Sequence, residues 1–394
     1  MNRRIAVLTT GRQDWGLLRP LCAALRDGDG FELSILAGGM AVDRSFGDVL
    51  EHIRSAGFAV DRVLPWDVRT AVPWNQCSEA SRLVGDSLAD LEPEALILLG
   101  DRYETAAAAL AATVARVPIV HLYGGEESVG AFDNALRHAI TKLSHLHLVA
   151  HDVYARRVVQ MGEDPANVHV VGSLGVENVL TLAPVSREQV EARLGCRLSS
   201  TVGLVTVHPT TLAGEADADV VGAVVEAIRH VDATWIVTLP NADPGNEAIR
   251  RRFLALADEL GNVVAVDALG EEYYLGVMRH CDVVLGNSSS GMMEAPAVGV
   301  PTVNVGERQA GRIRLPSIID VLPDRDEVKA AVLKALSREC RGHRVPDTSL
   351  GDAGVSRRIR SILANWKPGL RKAFRDLIVD AGPGAERAAP VEGP

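Results

Sequence analysis

The chain has 394 residues, 47% of them hydrophobic and 23% charged, with a formal net charge of −10 at pH 7. That length exceeds one ordinary core and suits two domains, and the composition is that of a soluble globular enzyme. The acidic balance disfavours DNA, RNA and anionic membranes as partners, and an aromatic content of 4% leaves few rings on which single-stranded bases could stack.

Short apolar runs alternate with amphipathic stretches along the chain. Strands are predicted at Arg4–Thr9, Glu32–Ala37, Ala95–Leu99, Pro118–Leu122, Leu146–Ala150 and Val168–Val171. A second set follows at Val202–Val207, Thr234–Leu239, Val263–Val266, Val283–Leu285 and Thr302–Val305. Several are apolar throughout, as expected of strands covered on both faces of a parallel sheet. Helical patterns lie between them, at Gly16–Asp27, Arg44–Ser55, Ser78–Leu91, Tyr103–Ala115, Ala135–Leu143, Ala216–His230, Glu247–Leu260 and Glu327–Leu336. Repeated βα units predict a doubly wound α/β protein. The pattern breaks between Leu174 and Ser200, which places a domain junction there. The expected division is 1–180, 181–365, and a tail 366–394 holding an amphipathic helix before a disordered end. The N-terminus has no signal-peptide pattern, no run is long enough to span a membrane, and the five cysteines are scattered, so a cytoplasmic protein is expected.

Candidate site residues fall at the C-terminal edges of predicted strands, where open α/β sheets bind ligands. Arg12 follows the first strand in TTGRQDWG and reads either as a phosphate-gripping guanidinium or as a solvated loop arginine. The missing GxGxxG argues against a nicotinamide cofactor. Asp101 reads as the N-cap of the next helix or as a catalytic acid/base. The stretch HLYGGEESVGAFDNALRHAITK sets Glu126, Asp133, Arg137 and His138 around a Gly-Gly turn, a density of polar groups that favours a site. His145, His147 and His151 alternate within or beside an apolar strand, which reads as core or edge histidines and not as a metal set.

In the second half, His208 ends a strand and is either a phosphate or proton donor or a packing histidine. Asn241 and Asp243 stand in the same relation to the next strand, where an Asx-type turn is a stronger reading than a cleft-facing pair. GNSSSGMMEAP places Ser289, Ser290 and Gly291 at a helix N-terminus, with Glu294 four residues beyond Ser290 on the same face. This is either an anion seat with a ribose-binding carboxylate or an N-cap followed by a surface glutamate. Arg308 and Arg312 either face an anionic ligand or pair with carboxylates of the first half.

TTGRQDWGLLRP, LLGDRYE, HLYGGEESVGAFDNALRHAITKLSH, VGSLGVEN, TVHPTT, LPNADPGN and GNSSSGMMEAPAVGVPTVNVGERQAGR together resemble the UDP-N-acetylglucosamine 2-epimerase family over about residues 4–365. They are most similar to its hydrolysing branch, of sialic and legionaminic acid synthesis. The resemblance implies a GT-B-like fold, two Rossmann-like domains with a nucleotide sugar in the cleft between them. It implies no cofactor and no metal, and it implies a homo-oligomer. By motif, Arg12, His208, Ser289, Ser290, Gly291 and Glu294 would hold the nucleotide, with Arg308 and Arg312 in a matching motif. Asp101, Glu126 and Asp133 would be the acid/base carboxylates, supported by Arg137 and His138. Two positions depart from the family pattern: Tyr123, where the branch often has histidine or glutamate, and Asn134, where many members have a second acid.

The implied reaction expels UDP from C1, forms a 2-acetamidoglucal and adds water to release an N-acetylmannosamine-type sugar. Alternatives sharing the nucleotide seat are a non-hydrolysing epimerase, an epimerase for a UDP- or GDP-linked 2,4-diacetamido-trideoxyhexose, a GT-B glycosyltransferase, and a nucleotide-sugar-binding regulator without catalysis.

Overall fold

The computed structural model describes residues 2–69, 72–210, 216–241, 243, 245–342 and 344–376. In the first domain seven strands form one sheet: β1 Arg3–Thr9, β2 Phe31–Gly38, β3 Arg62–Leu64, β4 Ala95–Leu99, β5 Ile119–Leu122, β6 Leu146–Val149 and β7 Val168–Val170. All pair in parallel, in the order β3-β2-β1-β4-β5-β6-β7. The second domain repeats the plan with β8 Val202–Thr206, β9 Thr234–Thr238, β10 Val263–Val266, β11 Val283–Gly286, β12 Thr302–Val305 and β13 Ile318–Val321. These are again parallel, in the order β10-β9-β8-β11-β12-β13. The central strands β4, β5, β6, β8, β9, β11 and β12 are buried along their whole length, as helices on both faces require. The result is a GT-B-like pair of Rossmann-like domains.

Each sheet reverses its strand order once, between β1 and β4 and between β8 and β11. Adjacent loops diverge at such a point and leave a crevice at the strands' carboxyl ends. Arg12 and Asp101 rim the first crevice, His208 and Ser288 the second, and all four line one interdomain cavity of about 370 Å³. At the second switch Gly286 has φ +135°, and a Cβ there would lie 2.1 Å from the Thr206 carbonyl oxygen. Only glycine lets β11 come this close to β8 as it turns toward the serines.

The boundaries differ from expectation at the carboxyl end. Val355, Ile359 and Leu363 of helix Val355–Asn365 join the core of the first sheet, with Leu18, Leu21 and Leu25. Buried Glu177 accepts from the Ser356 amide (2.8 Å) and hydroxyl (2.7 Å), fastening this helix to Leu174–Thr181 near the junction. The second unit of 181–365 therefore ends early, and its last helix belongs to the first domain. The amphipathic helix expected over 369–380 does not form in its described residues, 369–376. Residues 377–380 of that piece, and the end expected to be disordered, 381–394, lie outside the described residues.

Candidate active site

The wall contributed by the first domain is acidic, and its carboxylates are held by arginines. Asp101 follows β4 through Gly100, but it does not cap the helix Tyr103–Val114, which has no side-chain cap. It accepts a hydrogen bond from the buried Arg137, which also donates to Ser128 Oγ at 3.1 Å. Asp133 opens the helix Asp133–Leu143 that carries Arg137 one turn later. Burial, and then the nearby charge of Asp101, raise the Asp133 carboxyl to about 6. Two like charges beside a shared cavity thus keep one carboxyl within reach of a proton near neutrality. Glu126 is almost fully buried and forms an ion pair with Arg312 of the opposite domain, Oε2 to Nη1 2.9 Å, while its Oε1 has no hydrogen-bond partner.

The loop that presents these groups is itself anchored. Glu127 accepts from Asn134 Nδ2 at 2.9 Å, lies 3.1 Å from His138 Nε2 and 3.5 Å from Arg157 Nε, and Asn134 Oδ1 accepts from the Ser128 amide at 2.7 Å. Asn134 thus stands in a brace where a second acid would bring another charge beside Glu127. Tyr123 has φ +65°, and its hydroxyl lies 3.1 Å from Ser173 Oγ and 3.4 Å from the Gly175 amide.

The wall contributed by the second domain is built for an anion. Ser288, Ser289 and Ser290 line the cavity at the start of helix Ser290–Val298. Ser290 Oγ lies 2.5 Å from the Tyr274 hydroxyl and 3.1 Å from Ser288 Oγ. Arg308 Nε donates to the Pro209 carbonyl at 3.3 Å and Nη1 to the Asn287 carbonyl at 3.2 Å, with no carboxylate among its bonds. Burial lowers its pKa. A partly buried guanidinium whose hydrogen bonds go only to main-chain carbonyls, with the charges of Asp243 and Asp133 nearby but not bonded to it, is suited to phosphate beside a helix N-terminus. His208 is fixed through its backbone by Asn287, and burial, then Arg308, hold its imidazole well below its ordinary pKa. It is therefore neutral at pH 7. Glu294 Oε2 is buried without a partner, and burial raises this carboxyl to about 7.

Residues 23–364 match the UDP-N-acetylglucosamine 2-epimerase family. The chain belongs to that family. It is 32% identical over 331 residues to Polysialic acid biosynthesis protein P7 of Escherichia coli, covering 83% of this chain and 84% of that one. It is also 32% identical over 345 residues to a UDP-N,N'-diacetylbacillosamine 2-epimerase (hydrolyzing) of Legionella pneumophila, covering 86% and 90%. The fold is shared with the UDP-GlcNAc 2-epimerase of Neisseria meningitidis bound to UDP-GlcNAc, at TM-score 0.78 and 17% identity, over 92% of this chain and 99% of that one.

Of the residues singled out by sequence, Arg12, Asp101, Glu126, Asp133, Arg137, His208, Ser289, Ser290, Glu294, Arg308 and Arg312 line this family member's cavity. Two do not. His138 follows Arg137 by one residue, about 100° round the helix, and turns to Glu127 instead. Gly291 is a packing residue: a Cβ there would meet Thr302 Cγ2 at 2.8 Å. The three histidines around β6 have structural partners. His145 Nδ1 accepts from the Ile119 amide, His147 pairs with Glu163, and His151 caps the helix Asp152–Gln160.

Sequence reading missed several lining residues. Asp243, expected in an Asx turn, accepts from Arg102 across the cleft at 2.8 Å, and Arg102 also forks onto Glu104. Arg12 spans the cleft as well, donating to the Asp267 and Leu239 carbonyls and to Asn241 Oδ1. Asp14 is buried and raised to about 6 by burial, even with bonds from the Thr10 amide and hydroxyl. Tyr274 and Glu271 come from a helix, Glu271–His280, that periodicity did not reveal.

Proposed function

We propose that this family member is a hydrolysing 2-epimerase. It converts a UDP-linked N-acetylhexosamine to UDP and a free 2-epimerised sugar of the N-acetylmannosamine type. The observation that carries the reading is one cavity with Asp101, Glu126 and Asp133 on one wall and Arg308, His208 and the serine-rich helix start on the other.

The C2 hydrogen of a sugar bearing an amide and hydroxyls is scarcely acidic, so cleavage at C1 comes first. UDP departs as the anomeric C–O bond breaks, its growing charge met by Arg308, Arg12 and the amides at Ser289 and Ser290. The sugar gains oxocarbenium character and its C2 proton becomes acidic. A carboxylate of the first domain takes that proton, leaving a 2-acetamidoglucal. Water then adds across the double bond, with hydroxyl to C1 and a proton to the opposite face of C2. The test is product analysis with UDP-N-acetylglucosamine. Free UDP in equal amount to reducing sugar supports the proposal, whereas a UDP-linked 2-epimer returns it to the non-hydrolysing reaction. A substrate with a second acetamido group is the alternative favoured by the Legionella relative, whose name specifies such a sugar. The same assay with that nucleotide sugar compares the two.

Two pH effects are expected. Because Asp133 titrates near 6, kcat/KM should rise with pH through about 6 as this base ionises. The Asp133→Asn variant should lose that limb together with most of its activity. Glu294, raised to about 7 when unliganded, should be drawn to its ionised form by ribose hydroxyls donating to it. UDP binding near pH 7 should then release a proton, and affinity should increase as pH rises. Calorimetry in buffers of different ionisation enthalpy measures the release. Glu294→Gln should remove this component, leaving the proton exchange of the nucleotide phosphate; an unchanged proton count in that variant would contradict the assignment.

A further inference from the structure

We infer that the segment 367–376 is a positioning strap for the helix that carries Asp133 and Arg137, and that Lys372 is its working residue. This inference rests on the proposed roles of those two residues. The strap lies beyond the family match, which stops at residue 364.

Lys372 Nζ reaches the open end of the helix Asp133–Leu143, 2.6 Å from the Lys142 and Ser144 carbonyls and 3.2 Å from that of Thr141. The last carbonyls of a helix have no partners within it and carry the negative end of its dipole, so an ammonium there satisfies both. The same ammonium pairs with the buried Glu163 at 2.7 Å. Glu163 is also bonded by Lys142 at 2.6 Å and His147 at 2.9 Å, so this carboxylate ties the helix, β6 and the strap together. Flanking contacts hold the strap in register. The Arg375 amide donates to the Gly162 carbonyl at 2.9 Å, its side chain pairs with Asp164, and Lys142 lies 4.8 Å from the centre of the Phe374 ring.

Two routes lead from this end of the helix to the reacting carboxylates. Along the helix, Arg137 stands one turn and a fraction before Thr141 and holds Asp101. Across the sheet, the Thr141 hydroxyl lies 3.1 Å from His121 Nδ1, and His121 Nε2 lies 2.8 Å from the Gly100 carbonyl, next to Asp101. Burial holds His121 neutral, with a pKa of about 3, so it bridges Thr141 and Gly100 without changing charge at working pH. A shift of the helix end thus reaches Asp133 and Arg137 directly and Asp101 from both sides. Apart from Arg12, which follows β1, the proposed nucleotide-binding residues lie in the other domain, and none of them shares these bonds.

The test compares Lys372→Met and Lys372→Arg with wild type in the full chain, following UDP release, UDP affinity by calorimetry, and amide hydrogen exchange of the 133–143 segment. The expected result for Lys372→Met is a kcat lowered about tenfold, UDP affinity within about twofold, and faster exchange confined to 133–143 and its neighbours. Lys372→Arg, which keeps the charge at the helix end, should restore part of kcat. Unchanged kcat and exchange in an active background would overturn the inference, as would a general loss of protection with kcat and UDP affinity falling together. If wild type releases no UDP from any nucleotide sugar, the functional reading fails while the exchange data still report on the strap.

Discussion

Asp101→Asn is expected to lower kcat about a thousandfold while UDP still binds. The side chain keeps its shape but loses the charge and basicity that proton transfer needs, a loss within the 10²–10⁴ range of acid/base catalysis. Arg137 would then face a neutral amide, so some stability is lost as well, because a buried guanidinium is left without its counter-ion. UDP binding should survive because its proposed seat is built from Arg12 after β1 and from the loops after β8, β11 and β12, none of which bonds to Asp101. A second consequence separates chemistry from folding. Asp101 helps hold the Asp133 pKa up, so in this variant the residual activity should show its acid limb shifted downward from about 6. Single-turnover UDP release, calorimetry with UDP and a pH profile measure the three effects. Turnover near wild type would remove Asp101 from the mechanism.

Arg308→Met is expected to lower kcat/KM by about 10²–10³ and to leave the unliganded protein as stable as wild type or more so. Arg308 donates to the Pro209 and Asn287 carbonyls and feels the charges of Asp243 and Asp133, but burial outweighs these and lowers its pKa, so its charge is held at a net cost. Replacing such a charge with an apolar side chain of similar length relieves a desolvation cost, whereas truncating half of an ion pair would add one. The rate falls because one donor to the departing diphosphate is lost, a deficit of about 3–4 kcal/mol at a charge-stabilising position. Thermal unfolding and steady-state kinetics check both halves. A destabilised variant with unimpaired kinetics would mean that Arg308 serves the fold and not the ligand.

Much of this was legible in the sequence because of how buried parallel strands are written. β4, β5, β8, β9, β11 and β12 are short, mostly apolar runs that end in or just before a polar residue, a glycine or Tyr123, so both the sheets and the site-bearing edges could be marked. The short edge strands β3 and β13 were not, since RVL and IIDV are brief and partly exposed, and β13 carries Asp320 at its edge. Partners distant in sequence were also invisible: Asp243 and Arg102 are 141 residues apart and meet only because the two domains face each other. Local spacing likewise could not separate a glycine that approaches phosphate from one packed on Thr302, as Gly291 is. Nor could the RHAITK motif say that Arg137 faces the cleft while His138 turns away to Glu127. The helix Val355–Asn365 shows the same limit at larger scale, because no sequence pattern tells which of two similar domains a terminal helix will cover.

The most direct measurement is proton NMR of the reaction in deuterated water with UDP-N-acetylglucosamine or its diacetamido counterpart. Elimination followed by hydration requires that C2 lose its substrate hydrogen and take one from solvent. The expected result is free UDP with a free 2-epimerised sugar carrying deuterium at C2. UDP release with C2 hydrogen retained and unepimerised, or deuterium appearing only in a UDP-linked product, would contradict it.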